Sequence, residues 1–111
     1  MIELIVKNYL STKLDIPIVF EHQKNLPEQF ILIQKTGGSR ENFLNSSTIA
    51  IQSYGASLFD AAKLNEKIKN LMCDLITVAE VSRVKLNSDY NFTDTETKRY
   101  RYQAIFDIYH Y

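Results

Sequence analysis

The last fifteen residues of the chain, 97–111, alternate between apolar and polar side chains, and this pattern constrains the fold more than any other feature. In a β-strand, successive side chains point to opposite faces of the sheet. The alternation therefore predicts a half-buried strand, with Ile105 as its exception. The inward face comprises Tyr100, Tyr102, Ala104, Phe106 and Ile108, and the outward face comprises Arg99, Arg101, Gln103 and Asp107.

The first half of the chain predicts one helix and two strands. Apolar residues at spacings of three and four indicate an amphipathic helix over 2–14, which Pro17 cannot continue. Short apolar runs predict strands over 18–21 and 30–36. The polar stretch from Gly37 to Ser47 is interpreted as a loop of about ten residues, and connections longer than a hairpin requires are often functional.

The second half predicts a strand over 48–54, a long helix over 58–75 with Ser57 as its N-cap, and a strand over 81–86. The polar stretch 87–97 is interpreted as a turn or flexible hairpin loop. The element order is then helix, three strands, helix, two strands. This order predicts a single α+β domain over 1–111, with a mainly antiparallel sheet and the helices packed on one face.

Length and charge limit the class of partner. The 111 residues fit one domain, and thirteen basic residues balance thirteen acidic ones, so no overall field attracts nucleic acid or an anionic membrane. No segment approaches the roughly 18 apolar residues of a membrane span. The N-terminus lacks the pattern of a signal peptide, and the lone Cys73 cannot form an internal disulfide, so we expect synthesis in the cytoplasm.

The sequence offers no grouped set of catalytic or metal-binding residues. His22 and His110 have no Cys, His or carboxylate neighbour at metal-ligand spacing, and Cys73 has no activating base beside it. Gly37-Gly38 matches neither nucleotide-binding glycine fingerprint and is interpreted as a turn that uses positive φ. The acidic residues of the 87–97 stretch lack the pattern of an EF-hand and are interpreted as solvated. We therefore expect no enzyme, no metal and no cofactor.

Basic and aromatic residues are interleaved near the end of the chain. Arg99 and Arg101 alternate with Tyr100 and Tyr102, which resembles a nucleic-acid stacking surface, but in a strand the two types point to opposite faces and cannot form one platform. If the last two strands pair, four cations share one face, cations directly opposite one another repel, and the patch favours an acidic partner. These cations are Arg83, Lys85, Arg99 and Arg101.

As a whole, the chain resembles the tail terminator, or tail completion, proteins of long-tailed bacteriophages. The resemblance spans nearly the whole chain, in short motifs. These are the opening helix with Ile16-Pro17-Ile18-Val19, Leu26-Pro27 before Phe30-Ile31-Leu32-Ile33, Lys35-Thr36-Gly37-Gly38, Tyr54-Gly55 before Ser57-Leu58-Phe59-Asp60-Ala61-Ala62, and the closing Arg99-Tyr100-Arg101-Tyr102-Gln103.

The resemblance implies a structural virion protein, made in the host bacterial cytoplasm. Such proteins form a ring, commonly a hexamer, that caps the tail tube, ends its growth and forms the interface to the head. The partners would be further copies of the chain, the tail tube protein and a head connector protein. Two alternatives stay open, namely a head-completion or connector protein of the same neck and a small nucleic-acid-binding α+β domain.

Two groups of residues are candidates for the contacts of such a ring. The stretch from Gly37 to Ser47 is expected to contact the tube or the lumen, through Gly37, Gly38, Arg40, Glu41 and Phe43. Subunit interfaces join complementary patches on neighbouring copies. The candidates for these patches are the basic Arg83, Lys85, Arg99 and Arg101 and the acidic Asp94 and Glu96.

Overall fold

The computed structural model describes residues 1–41 and 44–111. It is an α+β fold with two α-helices, a short 3₁₀ turn and one five-stranded sheet. In chain order the elements are α1 (Ile2–Ser11), β1 (Ile18–Val19), β2 (Phe30–Glu41), β3 (Leu44–Tyr54), α2 (Leu58–Cys73), the 3₁₀ turn (Asp74–Thr77), β4 (Val81–Asn91) and β5 (Arg101–His110). The predicted order of helix, three strands, helix and two strands is confirmed.

The strands lie in the order β1-β2-β3-β5-β4. β1 pairs with β2 in parallel, and all other pairs are antiparallel. The terminal strand β5 therefore lies inside the sheet, between β3 and β4. Both edges of β5 are paired, and the helices cover one of its faces. This position explains why the side chains on that face are apolar.

The main core lies between the two helices and one face of the sheet. Ala104, Phe106 and Ile108 of β5 are buried there, as the alternation predicts. The helices contribute Ile2, Val6, Leu10, Leu64, Ile68 and Met72, and the neighbouring strands contribute Ile31, Ile33, Ile49 and Ile51. Both helices thus pack on the same face.

The opposite face carries a smaller apolar cluster of Val19, Phe30, Leu32 and Tyr54, to which neither helix contributes. Four consecutive residues of β2 are buried, because alternate ones face the helices and this second cluster. Gln103 also points to this face. It was predicted to be exterior, but it is only 8% exposed because Gln52 and Tyr90 bond to its side chain from either side.

The junction between β3 and α2 is close packed. A Cβ at Gly55 would lie 2.5 Å from the backbone nitrogen of Ala61. The first turn of α2 can therefore pack this closely against the end of β3 only because residue 55 has no side chain. Ser57 caps the helix by accepting a hydrogen bond from the Asp60 N–H at 3.1 Å. The predicted N-cap is confirmed.

Several predicted boundaries are wrong. Helix α1 ends at Ser11 and not at 14, β1 is only two residues long, and β4 continues to Asn91 through a stretch predicted to be a loop. Strand pairing explains the longer β4, since residues 88–91 pair with β5 even though their side chains are mostly polar.

Candidate functional site

Within the stretch predicted to be a loop, from Gly37 to Ser47, residues 37–41 and 44–47 instead form strands of a β-hairpin. β2 and β3 pair from Phe30 opposite Tyr54 to Glu41 opposite Leu44, with one irregularity between Lys35 and Gly37. We call residues 34–41 and 44–46 the arm. Residues 34–41 are all exposed, whereas the four preceding residues of β2 are all buried. The β2 half of the arm therefore contributes no side chain to the core, although its β3 half also pairs with β5.

The two glycines of the arm are strand residues and not turn residues. Neither has a positive φ, so the turn predicted at Gly37-Gly38 is wrong. A Cβ at Gly38 would lie 3.0 Å from the Ser46 carbonyl oxygen, whereas one at Gly37 would meet nothing within 4 Å. Arg40 and Glu41 are exposed near the tip of the arm. Phe43, the remaining predicted contact residue of this stretch, lies outside the described residues.

A shallow groove of about 780 Å³ separates the arm from the start of α1. At its base, the Nε2 atom of His110 and the hydroxyl oxygen of Ser47 are 2.7 Å apart and hydrogen bonded. Both side chains are buried. Burial lowers the pKa of His110, with smaller contributions of the same sign from Lys35 and the N-terminal ammonium and opposing ones from a Tyr111 backbone hydrogen bond and Glu3.

The four predicted interface cations do not form one patch. Arg83 lies opposite Tyr109 and Lys85 lies opposite Asp107, near one end of the β4–β5 pair. Arg101 begins β5 at the other end, about 25 Å away at about 3.3 Å per residue. The repulsion expected between directly opposed cations is absent from these positions, because an aromatic ring and a carboxylate lie opposite Arg83 and Lys85.

Arg99 and Arg101 instead join aromatic residues from other strands. The Cζ atom of Arg101 lies 4.5 Å from the ring centroid of Phe92 and 5.8 Å from that of Tyr54. The Cζ atom of Arg99 lies 5.4 Å from the Tyr54 centroid. We call Tyr54, Tyr90, Phe92, Arg99 and Arg101 the arginine–aromatic cluster. The prediction that basic and aromatic residues cannot share a platform holds for Arg101 and Tyr102 within β5. It is wrong for the sheet, since Tyr54 of β3, Tyr90 of β4 and Phe92 just after β4 supply the rings.

A chain of hydrogen bonds fixes this cluster across three strands. The Nη1 atom of Arg101 donates to the Tyr54 hydroxyl at 2.9 Å, and that hydroxyl donates to Oε1 of Gln52 at 3.0 Å. Nε2 of Gln52 donates to Oε1 of Gln103 at 2.9 Å, and Nε2 of Gln103 donates to the Tyr90 hydroxyl at 2.5 Å. The alternation within single strands gave no sign of this chain, which depends on the register between strands.

The predicted acidic candidates lie in the turn between β4 and β5. The Asp94 carboxylate accepts hydrogen bonds from the backbone N–H groups of Glu96 and Thr97, at 3.0 and 3.4 Å. A side-chain hydrogen bond from Thr97 and these two backbone bonds lower the pKa of Asp94, and the charge of Arg101 adds to the effect. Glu96 is exposed. Both residues therefore lie near the arginine–aromatic cluster and far from Arg83 and Lys85.

Asp89 was predicted to be a solvated loop residue, and this is wrong. It lies in β4 and faces α2, where its Oδ2 atom is 3.0 Å from Nδ2 of Asn65 and 2.9 Å from Nζ of Lys69. Both carboxylates that contact Lys69, those of Glu66 and Asp89, raise its pKa. Asp89 therefore joins the helix layer to the sheet.

The remaining predicted chemical groups are separate from one another. Cys73 is exposed at the end of α2, and the ring of His22 packs edge-on against Phe30 and Tyr54. Among residues 1–41 and 44–111, no three His, Cys, Asp or Glu side chains are grouped as a metal site would require. None of the helices in this part of the chain is long and apolar enough to cross a membrane.

Comparison with known proteins places no constraint on the site. No family model matches the sequence, and no curated protein matches it significantly. The arm and the arginine–aromatic cluster are therefore the two candidate interaction surfaces that the structure itself defines.

Proposed function

We propose that this protein is a structural virion assembly protein that forms a ring on the end of a phage tail tube, ends growth of the tube and provides the interface to the head. The proposal rests on the resemblance described above together with one structural observation. That observation is the arm, which is held by strand pairing but whose β2 half, residues 34–41, is exposed.

An arm of this kind is suited to contact with a neighbouring molecule. Its β2 half buries no side chain in the core of its own domain, and beyond Leu32 no described strand pairs with the outer edge of β2, so backbone groups there are free to pair with another chain. The molecule is elongated, measuring 44 × 25 × 25 Å. A second chain that covers the arm would bury its exposed side chains and could pair with the backbone groups of the β2 edge.

The two candidate surfaces lie at opposite ends of the sheet. In the β3–β5 pair, Asn45 of the arm lies opposite His110, whereas Tyr54 of the cluster lies opposite Arg101. Nine steps along β3 separate Asn45 from Tyr54, which corresponds to about 30 Å. Two different surfaces at opposite ends favour head-to-tail contacts, which close into rings when the rotation between subunits permits it.

A head-completion or connector protein is the second candidate, because the same arm would serve a ring that binds the portal side of the neck. Purified tail tubes and purified portal complexes from the same phage distinguish the two functions. A tail terminator binds the tube end, whereas a connector binds the portal.

The experiment is mass measurement by light scattering together with electron microscopy, with and without tail tubes. We expect rings on tube ends and tubes of uniform length. The variant Ser39→Trp places a large side chain on the exposed arm and should prevent ring formation, whereas Lys67→Trp on the exposed face of α2 should not. A wild-type protein that stays monomeric both alone and with tubes would contradict the proposal.

A further inference from the structure

We propose that the arginine–aromatic cluster binds single-stranded nucleic acid, with Arg99 and Arg101 contacting phosphates and Tyr90 and Phe92 stacking with bases. This activity is separate from ring formation and does not depend on it. The cluster lies on the sheet face to which neither helix packs, because both helices contribute only to the core on the other side.

The Arg101 guanidinium is held in place by hydrogen bonds without an acidic partner, and that of Arg99 lies over the Tyr54 ring. Nε of Arg101 donates to the Phe92 carbonyl oxygen at 2.7 Å, and Nη1 donates to the Tyr54 hydroxyl. Both ion pairs within residues 1–41 and 44–111 involve Lys69, so neither Arg99 nor Arg101 has a carboxylate partner in that part of the chain. A fixed guanidinium with free N–H groups is a strong donor for a phosphate.

The aromatic rings beside these arginines are accessible. Tyr90 and Phe92 are each 39% exposed, and their centroids lie 5.8 Å apart with the ring planes at 87°. Exposed aromatic side chains on a sheet are the usual stacking surface for single-stranded bases, and adjacent cations contact the backbone of the same strand.

Arginines beside exposed aromatic rings favour single-stranded nucleic acid over other anionic partners. An acidic peptide would engage the guanidinium groups and leave the rings without a function. A duplex would present phosphates, but its bases are already stacked and unavailable to Tyr90 and Phe92. A single strand supplies both the phosphate charge and the flat base that the cluster can accept.

Three acidic side chains lie near the cluster, namely Asp94, Glu96 and Glu28, the last of which lines a pocket with Tyr54 and Arg99. Among the described residues, none of the three forms an ion pair with Arg99 or Arg101. The Asp94 carboxylate is held by the backbone of its own turn, and Glu96 is exposed to solvent on the same turn. Lys98, which has a positive φ of 55°, adds a third cation next to Arg99.

Fluorescence anisotropy with a labelled oligo-dT of about twelve nucleotides tests the proposal. If two phosphates are contacted, raising the salt from about 50 to about 200 mM should weaken binding about 7-fold. Arg99→Gln should lower the slope of log K against log salt by about 0.7. Phe92→Ala should weaken binding by about 5- to 150-fold, as expected for one stacked base.

The matched control is Lys63→Gln, which removes an exposed cation from α2 on the opposite side of the molecule and should leave affinity unchanged. Circular dichroism should show that each variant is folded. No binding of the wild type at about 50 mM salt would overturn the proposal, as would affinity that is unchanged in both Phe92→Ala and Arg99→Gln. Equal competition by a duplex of the same length, or by polyglutamate of the same charge, would also overturn it. None of these measurements depends on subunit rings or tail tubes. A negative result here would therefore not contradict the proposed ring on the tail tube, which is tested separately.

Discussion

The Arg101 guanidinium donates to the hydroxyl of Tyr54 at 2.9 Å and also lies 5.8 Å from the centroid of the same ring. A strand-end cation is thus fixed by a residue 47 positions earlier in the chain. The contact joins the two strands at the centre of the sheet, β3 and β5, and it orients the charged group before any partner arrives.

Removing the Tyr54 hydroxyl should destabilise the fold. Tyr54→Phe keeps the ring but leaves the buried Gln52 Oε1 without its donor, and it also removes the acceptor for Arg101. We expect a loss of about 1 to 3 kcal/mol in the free energy of unfolding, measured by urea denaturation. Tyr102→Phe is the matched control, because the structure shows no hydrogen bond for the Tyr102 hydroxyl within the described residues. Equal effects of the two changes would contradict this account.

Phe106 anchors the inward face of β5 and is only 2% exposed. Phe106→Ala should lower the free energy of unfolding by about 3 to 5 kcal/mol, because it removes buried apolar surface and leaves a cavity. Phe59→Ala removes the same side chain from a position that is 74% exposed and should change stability by no more than about 0.5 kcal/mol. An unchanged chemical denaturation curve for Phe106→Ala would show that β5 is placed wrongly.

Gly55 and Gly37 should respond oppositely to the same substitution. Gly55→Ala should cost about 1 to 3 kcal/mol, since its Cβ would meet the backbone at Ala61 and α2 would have to shift. Gly37→Ala should be neutral or stabilise by up to about 1 kcal/mol, because its surroundings are open and its φ is not positive. Thermal denaturation of the two variants side by side tests the close contact of α2 with the end of β3.

His110 should make the fold less stable in mild acid. Its pKa in the folded protein lies below the ordinary value of 6.5, chiefly because the ring is buried. The unfolded chain therefore binds this proton more readily, and stability is lost as the pH falls below about 6.5 towards the folded-state pKa. His110→Asn should reduce this part of the pH dependence. Urea denaturation at several pH values between 7.5 and 5 measures it, and identical slopes for both proteins would refute the role of His110.

The parts of the fold that periodicity could predict are those whose own side chains face the core. The inward residues of β5 and the cap of α2 at Ser57 belong to this class, because each is determined by local sequence. The arm does not belong to this class. The glycine and serine residues of its β2 half have no preference for a strand by themselves, and they form one because they pair with β3. Asp89 likewise becomes a helix–sheet contact only because β4 continues past Leu86.

The arginine–aromatic cluster was missed for a related reason. Alternation assigns Arg101 of β5 to one face and Tyr102 to the other, and this is correct for that strand. Which rings then lie beside Arg101 depends on register, which places Tyr54 opposite it and brings Phe92, the residue after β4, next to it. The periodicity of a single strand contains no information about its neighbours in other parts of the chain, whether they are 9 residues away, as Phe92 is, or 47, as Tyr54 is.

The two-residue length of β1 has a consequence for backbone exchange with solvent. The N–H of Ile31 donates to the Pro17 carbonyl oxygen at 2.9 Å, so the outer edge of β2 is protected where β1 accompanies it. Alternation places the N–H of Lys35 on that same edge, but β1 ends at Val19 and offers it no acceptor. The N–H of Gln34 points the other way, towards β3. Neighbouring amides of β2 thus differ in their protection from hydrogen exchange. The unprotected part of this edge begins at Lys35, the second residue of the arm.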